Sequence, residues 1–388
     1  MTLTIPLGRA GAAAGISRRA CMAGIGAGAL VPLQASIPAR AAPTFDAVVG
    51  AMPAATAGRR FASLQEAIDA AASVPQGQPW RIALGEGRYR GQFRIERPNV
   101  EIHGQGAGRS VLFFDAAAGW IAPDGKPYGT FRTWCLSVTA PDVRLHGLTI
   151  ANTFDAAAEM RRPGGMRSDE GGSQQALALS LGRGADRTIV SECEITSHQD
   201  TLYCAEGRAL FFACLITGSY DFIFGGSAAR FERCEIRSLP RIDPVEGYIT
   251  APNTVADQPA GLVFDACALT AETGVPDGSV FLGRPWGVST MRGGVRVKTV
   301  GMAAYLRCLM GPHIAPAGWT NMWYTDADGK PAFFEPEDAR FMEFGNTGPG
   351  ASPPFGAART QRRGRIIDAA QAAGFSREQM FRDWQPEV

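Results

Sequence analysis

Ser191-Glu-Cys193-Glu-Ile-Thr196, Phe212-Ala-Cys214-Leu-Ile-Thr217 and Glu232-Arg-Cys234-Glu-Ile-Arg237 are three versions of one hexapeptide, spaced 21 and 20 residues apart. Asp265-Ala-Cys267-Ala-Leu-Thr270 and Leu306-Arg-Cys308-Leu-Met310 echo it more loosely, at steps of 33 and 41 residues. Upstream, Val100-Glu-Ile-His-Gly104 and Val143-Arg-Leu-His-Gly147 have the same short alternating form. A period near 20, built from short alternating strands and glycine-marked turns, signals a solenoid in which each unit buries its apolar face by stacking on its neighbours. No amphipathic helix of about 10–15 residues separates the strands, which argues against a βαβ sheet or a TIM barrel. Three short strands and their turns use about 20 residues. The chain is therefore read as all-β, a parallel β-helix, with loop insertions in the longer steps; an ordinary β-sandwich is the competing reading. Helices are expected only near the ends, where they would cover the open rungs of the solenoid. Ser63-Leu-Gln-Glu66 is a capping box leading into Ala67-Ile68-Asp69, and the run Arg365–Gly374 ends on a glycine.

Composition sets the class. The chain has 388 residues, 45% hydrophobic and 19% charged, which excludes a disordered polyelectrolyte and allows a sizeable core. With 38 basic and 37 acidic residues the net charge is +1, which gives no electrostatic reason to expect a nucleic-acid partner. Residues 1–41 carry Arg9, Arg18, Arg19 and Arg40 and no acid. Paired arginines, a short apolar run from Ala20 to Leu33 and the small-x-small site Ala39-Arg40-Ala41 read as a cleaved, Tat-like signal peptide. The mature domain would be 42–388, exported to the periplasm or secreted, with no stable membrane association and taken as a monomer. Of the eight cysteines Cys21 leaves with the leader, and no CxxC zinc pattern is present. An oxidising compartment makes a disulfide plausible, and stacked coils would bring both Cys193–Cys214 and Cys214–Cys234 within bridging range.

The repeat also places two acids. Asp200 lies seven residues after Cys193, and Asp221 seven after Cys214. Stacking therefore puts them in equivalent positions on adjacent rungs, about 4.8 Å apart. Two carboxylates so close do not both ionise cheaply, which splits them into one protonated acid and one anionic nucleophile or base. Around them stand His198-Gln199-Asp200-Thr-Leu-Tyr203 and Tyr220-Asp221-Phe-Ile-Phe224-Gly, with Gln174-Gln175 one coil upstream and Gly283-Arg284-Pro-Trp286 downstream. A glutamine amide can donate to a developing oxyanion, arginine can hold one carboxylate ionised by bidentate bonds, and Tyr203, Phe224 and Trp286 offer flat faces to sugar rings.

In order and spacing, Gln175-Ala-Leu-Ala-Leu, Gln199-Asp200-Thr-Leu-Tyr, Asp221-Phe-Ile-Phe-Gly and Leu282-Gly-Arg284-Pro-Trp286 resemble the motifs of the pectin methylesterase (pectinesterase) family. Weaker matches extend from the Phe61–Ala72 segment to His313-Ile-x-Pro-x-Gly-Trp319. The resemblance implies a right-handed parallel β-helix that hydrolyses the C6 methyl ester of galacturonate units in pectin, without metal or organic cofactor. It implies Asp221 as nucleophile forming an acyl-enzyme, Asp200 as proton donor and then general base, Gln175 and Gln199 as oxyanion donors, and Arg284 as the partner that aims Asp221. It also implies that Trp286 and Phe224 contact the methylated polygalacturonate chain, with Trp319 flanking the site, and that Cys214 and Cys234 form a disulfide; Tyr203 is a substrate-binding candidate by its flat ring alone.

The chain departs from the family pattern in two places. Gly87-Arg-Tyr89-Arg-Gly91 lacks the glutamate of the early Gly-x-Tyr-x-Glu motif, and Tyr220 stands beside the nucleophile where a smaller apolar residue is common. Both bear on substrate choice more than on chemistry, and Tyr220 counts among the substrate-binding candidates. Segment 161–172 is a glycine-rich, charged loop read as solvated surface; His103 and His146 read as structural, and His198 as a cleft residue. The rival functions are the same aspartyl chemistry on a non-pectin ester or thioester, a calcium-dependent polysaccharide lyase, and a non-catalytic carbohydrate-binding solenoid.

Overall fold

The computed structural model describes residues 44–166, 173–241, 246–292, 294–326, 328–351 and 362–388. The expected signal peptide, residues 1–41, and residues 167–172 of the 161–172 segment lie outside the described residues. Among the described residues three parallel sheets of 12, 8 and 7 strands stack coil upon coil, and together they form the right-handed parallel β-helix. The three hexapeptides occupy one corner of it. Thr188–Ser191, Arg208–Phe212, Ala228–Glu232, Leu262–Asp265 and Met302–Leu306 are neighbours in the long sheet, and the strands that follow them are neighbours in the eight-stranded sheet.

The turn between those two sheets explains the repeat. Glu192, Ala213, Arg233, Ala266 and Arg307 all have φ of 51–53°, a left-handed conformation that costs a non-glycine residue about 1–2 kcal/mol. Each precedes a cysteine of the column. In an earlier coil Gly147 makes the same bend at φ 63° without that cost. The cysteine then points inward, where burial is complete or nearly so. Its thiol donates to a main-chain carbonyl of the preceding coil: Cys214 to Val190 O at 3.3 Å, Cys234 to Phe211 O at 3.5 Å, Cys267 to Phe231 O at 3.4 Å and Cys308 to Phe264 O at 3.5 Å. The expected Cys214–Cys234 disulfide is not formed, and all seven cysteines of the described residues are free thiols. In-register parallel strands hold successive Cβ atoms about one rung apart, near 4.8 Å, whereas a disulfide draws them to about 3.8 Å.

The core is made of ladders of like residues. Ile150, Ile195, Ile216, Ile236, Leu269 and Met310 are register partners in the eight-stranded sheet and are fully buried. Phe211, Phe231, Phe264 and Tyr305 stack face to face along the long sheet, with centroids 4.5–4.6 Å apart and planes within 9°. Each buried ring contributes roughly 1.5–3 kcal/mol through area removed from water.

Helices depart from the sequence expectation in two respects. Leu64–Asp69, capped by the Ser63 side chain on Glu66 N, does pack Leu64, Ala67 and Ile68 into the core beside the first strands. A second helix, Ala156–Arg161, is internal; Asp155 caps it within the loop after strand Thr149–Asn152. At the C-terminus Arg365–Ile366 is a short strand, followed by helices Ala369–Ala373 and Arg377–Phe381. Met380 and Phe381 do not close the solenoid end. They cover the outward-facing Leu210, Val263, Ala304 and Leu306 of the long sheet, whose apolar outer face needed a cover of its own.

Candidate active site

The seven-stranded sheet carries the site on its outer face. Its order runs Phe93–Ile95, Leu136–Val138, Leu179–Leu181, Leu202–Cys204, Tyr220–Gly225, Gly247–Pro252, Val280–Gly283. Leu202 pairs with Ile223 and Gln199 bridges to Tyr220, so Asp200 and Asp221 are register partners, with Asp200 N donating to Tyr220 O at 3.1 Å. Both acids sit at positive φ, 61° and 46°. Aspartate tolerates this region better than most side chains, and two such residues on adjacent coils mark a functional corner.

Pairing slips at Asp221. Tyr220 faces Tyr248 and Ile223 faces Thr250, so Asp221 and Phe222 together oppose Ile249 alone. Phe222 and Ile249 are both fully buried. Asp221 is therefore the extra residue of a β-bulge, turned outward while Phe222 fills the inward place. There Arg284 takes it in a bidentate pair: Nε to Oδ1 at 2.9 Å and Nη2 to Oδ2 at 2.7 Å. Each side chain is only 13% exposed, so the attraction is little screened, and burial notwithstanding, Asp221 drives the Arg284 guanidinium still higher in its affinity for a proton. Among the described residues Asp200 has no such partner. Desolvation, and then the neighbouring Asp221 charge, push its carboxyl well above the usual carboxylate range, only partly offset by Arg284. One carboxylate is thus gripped by a guanidinium, and the other is pushed toward its protonated form.

Gln175 and Gln199 are connected by a parallel bridge and lie on the coils leading to the acids. Among the described residues neither amide oxygen has a hydrogen-bond partner. An amide oxygen accepts, so donation to a reacting oxyanion would fall to the Nε2 groups of these two side chains. His198 and Gln199 line a small recess with Tyr220 and Arg241, and burial lowers the affinity of the His198 imidazole for a proton.

An aromatic path runs past the acids along the same face. Phe131 meets Tyr203 at 4.9 Å, Tyr203 meets Phe224 at 4.8 Å, and Phe224 meets Trp286 edge-on at 5.5 Å. Beyond the half-exposed Phe131 a broad groove continues, lined by Arg90, Arg94, Trp120, Tyr128 and Arg132. Trp319 is not on this path. It is fully buried, stacked on Phe341 at 4.1 Å and donating to Glu343 Oε1 at 3.2 Å, which makes it part of the core and not a substrate contact. Phe131, Tyr248 and Arg241 are the residues that sequence reasoning missed. The 28-residue step from Tyr220 to Tyr248 departs from the repeat, and Phe131 stands in a short 3₁₀ turn, Thr130–Arg132, outside the strands.

Known proteins resemble this chain in sequence and in fold. The pectinesterase family profile matches residues 50–383. Pectinesterase A of Dickeya dadantii is 33% identical over 363 residues, spanning 90% of this chain and 94% of the relative. A solved pectin methylesterase from Erwinia chrysanthemi superposes with a TM-score of 0.78 at 33% identity, covering 89% of this chain and all of its own. Another, solved in complex with a hexasaccharide, does so with a TM-score of 0.78 at 32% identity and the same coverage. A profile that spans nearly the whole β-helix, and a relative of matching length, make this chain a member of the pectinesterase family.

Proposed function

We propose that this enzyme, a carboxylic ester hydrolase, removes methyl groups from the C6 esters of galacturonate units in pectin and releases methanol, with Asp221 as nucleophile. The observation that carries the reading is the asymmetry of the acid pair: Asp221 in the bidentate grip of Arg284, and Asp200, one rung away, driven toward its protonated form. The Asp221 carboxylate attacks the ester carbonyl carbon. The resulting oxyanion takes hydrogen bonds from the amide groups of Gln175 and Gln199. Asp200 gives its proton to the methoxy oxygen, the C–O bond breaks, and methanol leaves behind an acyl group on Asp221. The Asp200 carboxylate then draws a proton from water, whose oxygen attacks the acyl carbon. Asp221 departs as the carboxylate, Asp200 is again an acid, and the galacturonate leaves as the carboxylic acid, which gives its proton to solvent. The half-buried rings of Tyr203 and Trp286, backed by the buried Phe224, support a sugar chain across the site, which favours a polysaccharide over a small acyl ester.

The leader, with its paired arginines, directs the enzyme out of the cytoplasm, where its polymeric substrate is met; N-terminal sequencing of the exported protein tests cleavage after Ala41. The activity is tested by methanol release from methylated pectin. Wild-type protein should liberate methanol in proportion to the carboxylates formed, and Asp221→Asn should liberate none. A wild type inert on pectin yet active on a simple acyl ester would move the enzyme to another substrate.

A further inference from the structure

Arg284 is held by more than its carboxylate. Tyr220 and Tyr248 are register partners on adjacent strands, and their rings meet at right angles with centroids 4.9 Å apart. The Arg284 guanidinium carbon sits in the corner between them, 4.0 Å from the Tyr248 centroid and 4.5 Å from that of Tyr220. Tyr248 is braced in turn by Phe281, its partner on the next strand, at 5.7 Å with planes within 15°. Tyr220 also packs against Arg241, whose guanidinium carbon lies 4.1 Å from the ring centroid and whose Nη1 donates to Glu246 O.

From this we infer that Tyr220 and Tyr248 are positioning residues for the esterase reaction: two aromatic faces that fix the Arg284 fork, and through it the aim of the Asp221 carboxylate. The inference rests on Asp221 as nucleophile. A guanidinium is a plane on a flexible stem, and two carboxylate bonds fix its edge but leave it free to tilt. Rings at right angles remove that freedom, because each attracts the cation to its own face. The charged and titratable groups around Asp221 are Asp200, Arg284, Arg241, Tyr220 and Tyr248. Both tyrosine hydroxyls are dispensable on this account, since only the ring faces touch Arg284. The large residue beside the nucleophile, unexplained by sequence, thereby acquires a role: Tyr220 narrows the site on the side of Arg284 and supplies half of the corner.

The test compares Tyr248→Phe and Tyr248→Leu with wild type in the methanol assay on methylated pectin, with Asp221→Asn as the reference for the nucleophile. The ring-only variant should keep kcat within about twofold, whereas leucine, which fills space without a π face, should lower kcat about tenfold and leave KM unchanged. A leucine variant as active as phenylalanine reduces Tyr248 to packing and overturns the inference. So does a loss confined to KM, which would make it a substrate contact, or equal damage from phenylalanine and leucine, which would assign the work to the hydroxyl. If thermal melting shows Tyr248→Leu unfolded, Tyr220→Val carries the same test from the other side of the corner, with a severalfold loss of kcat expected and an unchanged kcat overturning the inference. An active Asp221→Asn would instead defeat the nucleophile assignment, an outcome separable from all of these.

Discussion

Replacing Asp200 by Asn should make the protein more stable above pH 5 while stopping the reaction, and the two effects share one cause. Asn tolerates the φ of 61° at this position, so the backbone is not strained by the exchange. Two full charges one rung apart, about 4.8 Å, repel by about 3 kcal/mol at an effective dielectric of about 20. Arg284 offsets part of this, as it lies against Asp221 and lowers Asp200 as well. Desolvation, the larger cause, adds to what is left, so ionising Asp200 in the folded protein costs at least about 1–2 kcal/mol. Because the folded carboxyl binds its proton more tightly than the unfolded one, the contribution of Asp200 to stability is greatest below about pH 4, the ordinary aspartate range. It then declines as pH rises toward the raised folded value. Asp200→Asn has no such decline. Urea unfolding at pH 3.5, 5, 6.5 and 8 should give coincident stabilities at the lowest pH and a variant advantage that grows to at least about 1–2 kcal/mol at the highest. Methanol release should meanwhile fall by about 10²–10⁴, the usual contribution of a positioned acid–base group. Parallel stability curves across this range would mean that Asp200 does not feel Asp221, and the division of labour between the two acids would fail with it.

Other variants probe the remaining parts. Asp221→Asn removes the nucleophile, so methanol release should vanish while the circular dichroism spectrum stays near wild type and the melting temperature falls with the loss of the buried Arg284 pair; residual turnover would reassign the attack. Gln199→Ala should lower kcat by about 10²–10³ with little change in KM, as expected for loss of one oxyanion donor, and an unchanged kcat would remove Gln199 from that role. Phe131→Ala breaks the aromatic path at its exposed end; KM for polymeric pectin should rise severalfold with kcat retained, and an unaltered KM would place the sugar chain elsewhere.

How much of this was legible follows from how the repeat was kept or interrupted. The cysteine hexapeptides reveal the coil because the corner before each one is structurally identical, five times over, from Glu192 to Arg307. Counting seven residues from Cys193 and from Cys214 then finds both acids, since no loop intervenes between corner and site. Arg284 lies 50 residues beyond Cys234, past two insertions, and only the Leu282-Gly-Arg-Pro-Trp286 wording located it. Tyr248 had no wording to mark it, and its 28-residue offset from Tyr220 conceals a register partnership that is plain in the sheet. Trp286 and Trp319 are the same residue type in similar glycine-rich surroundings, yet one lies on the aromatic path and the other stacks in the core. Gly283, three residues before Trp286, bridges directly to Trp319, so that contact, and not residue type, decides which ring is buried. The outer cover of the long sheet was hidden for a different reason: alternation such as Phe211 inside and Leu210 outside is apolar on both faces, and sequence alone does not say what would cover the second.

The left-handed backbone at the acids separates the frame of the molecule from its chemistry. Corner residues adopt it on coil after coil, which makes it part of the solenoid's construction. Asp200 and Asp221 adopt it on two adjacent coils at a different point of the turn. Without the bulge, strand alternation would carry the residue after Tyr220 where the residue after Tyr248 goes, and Ile249 is wholly inside the core. An aspartate sent there would be a buried charge without a partner, at a cost of several kcal/mol. The extra residue reverses that outcome: Phe222 takes the inward place, and Asp221 emerges against Arg284 with its neighbour acid in register. A strain of about 1–2 kcal/mol at each acid is thus smaller than the penalty it avoids, and it leaves both carboxylates on the outer face where a polymer lying along the sheet can reach them.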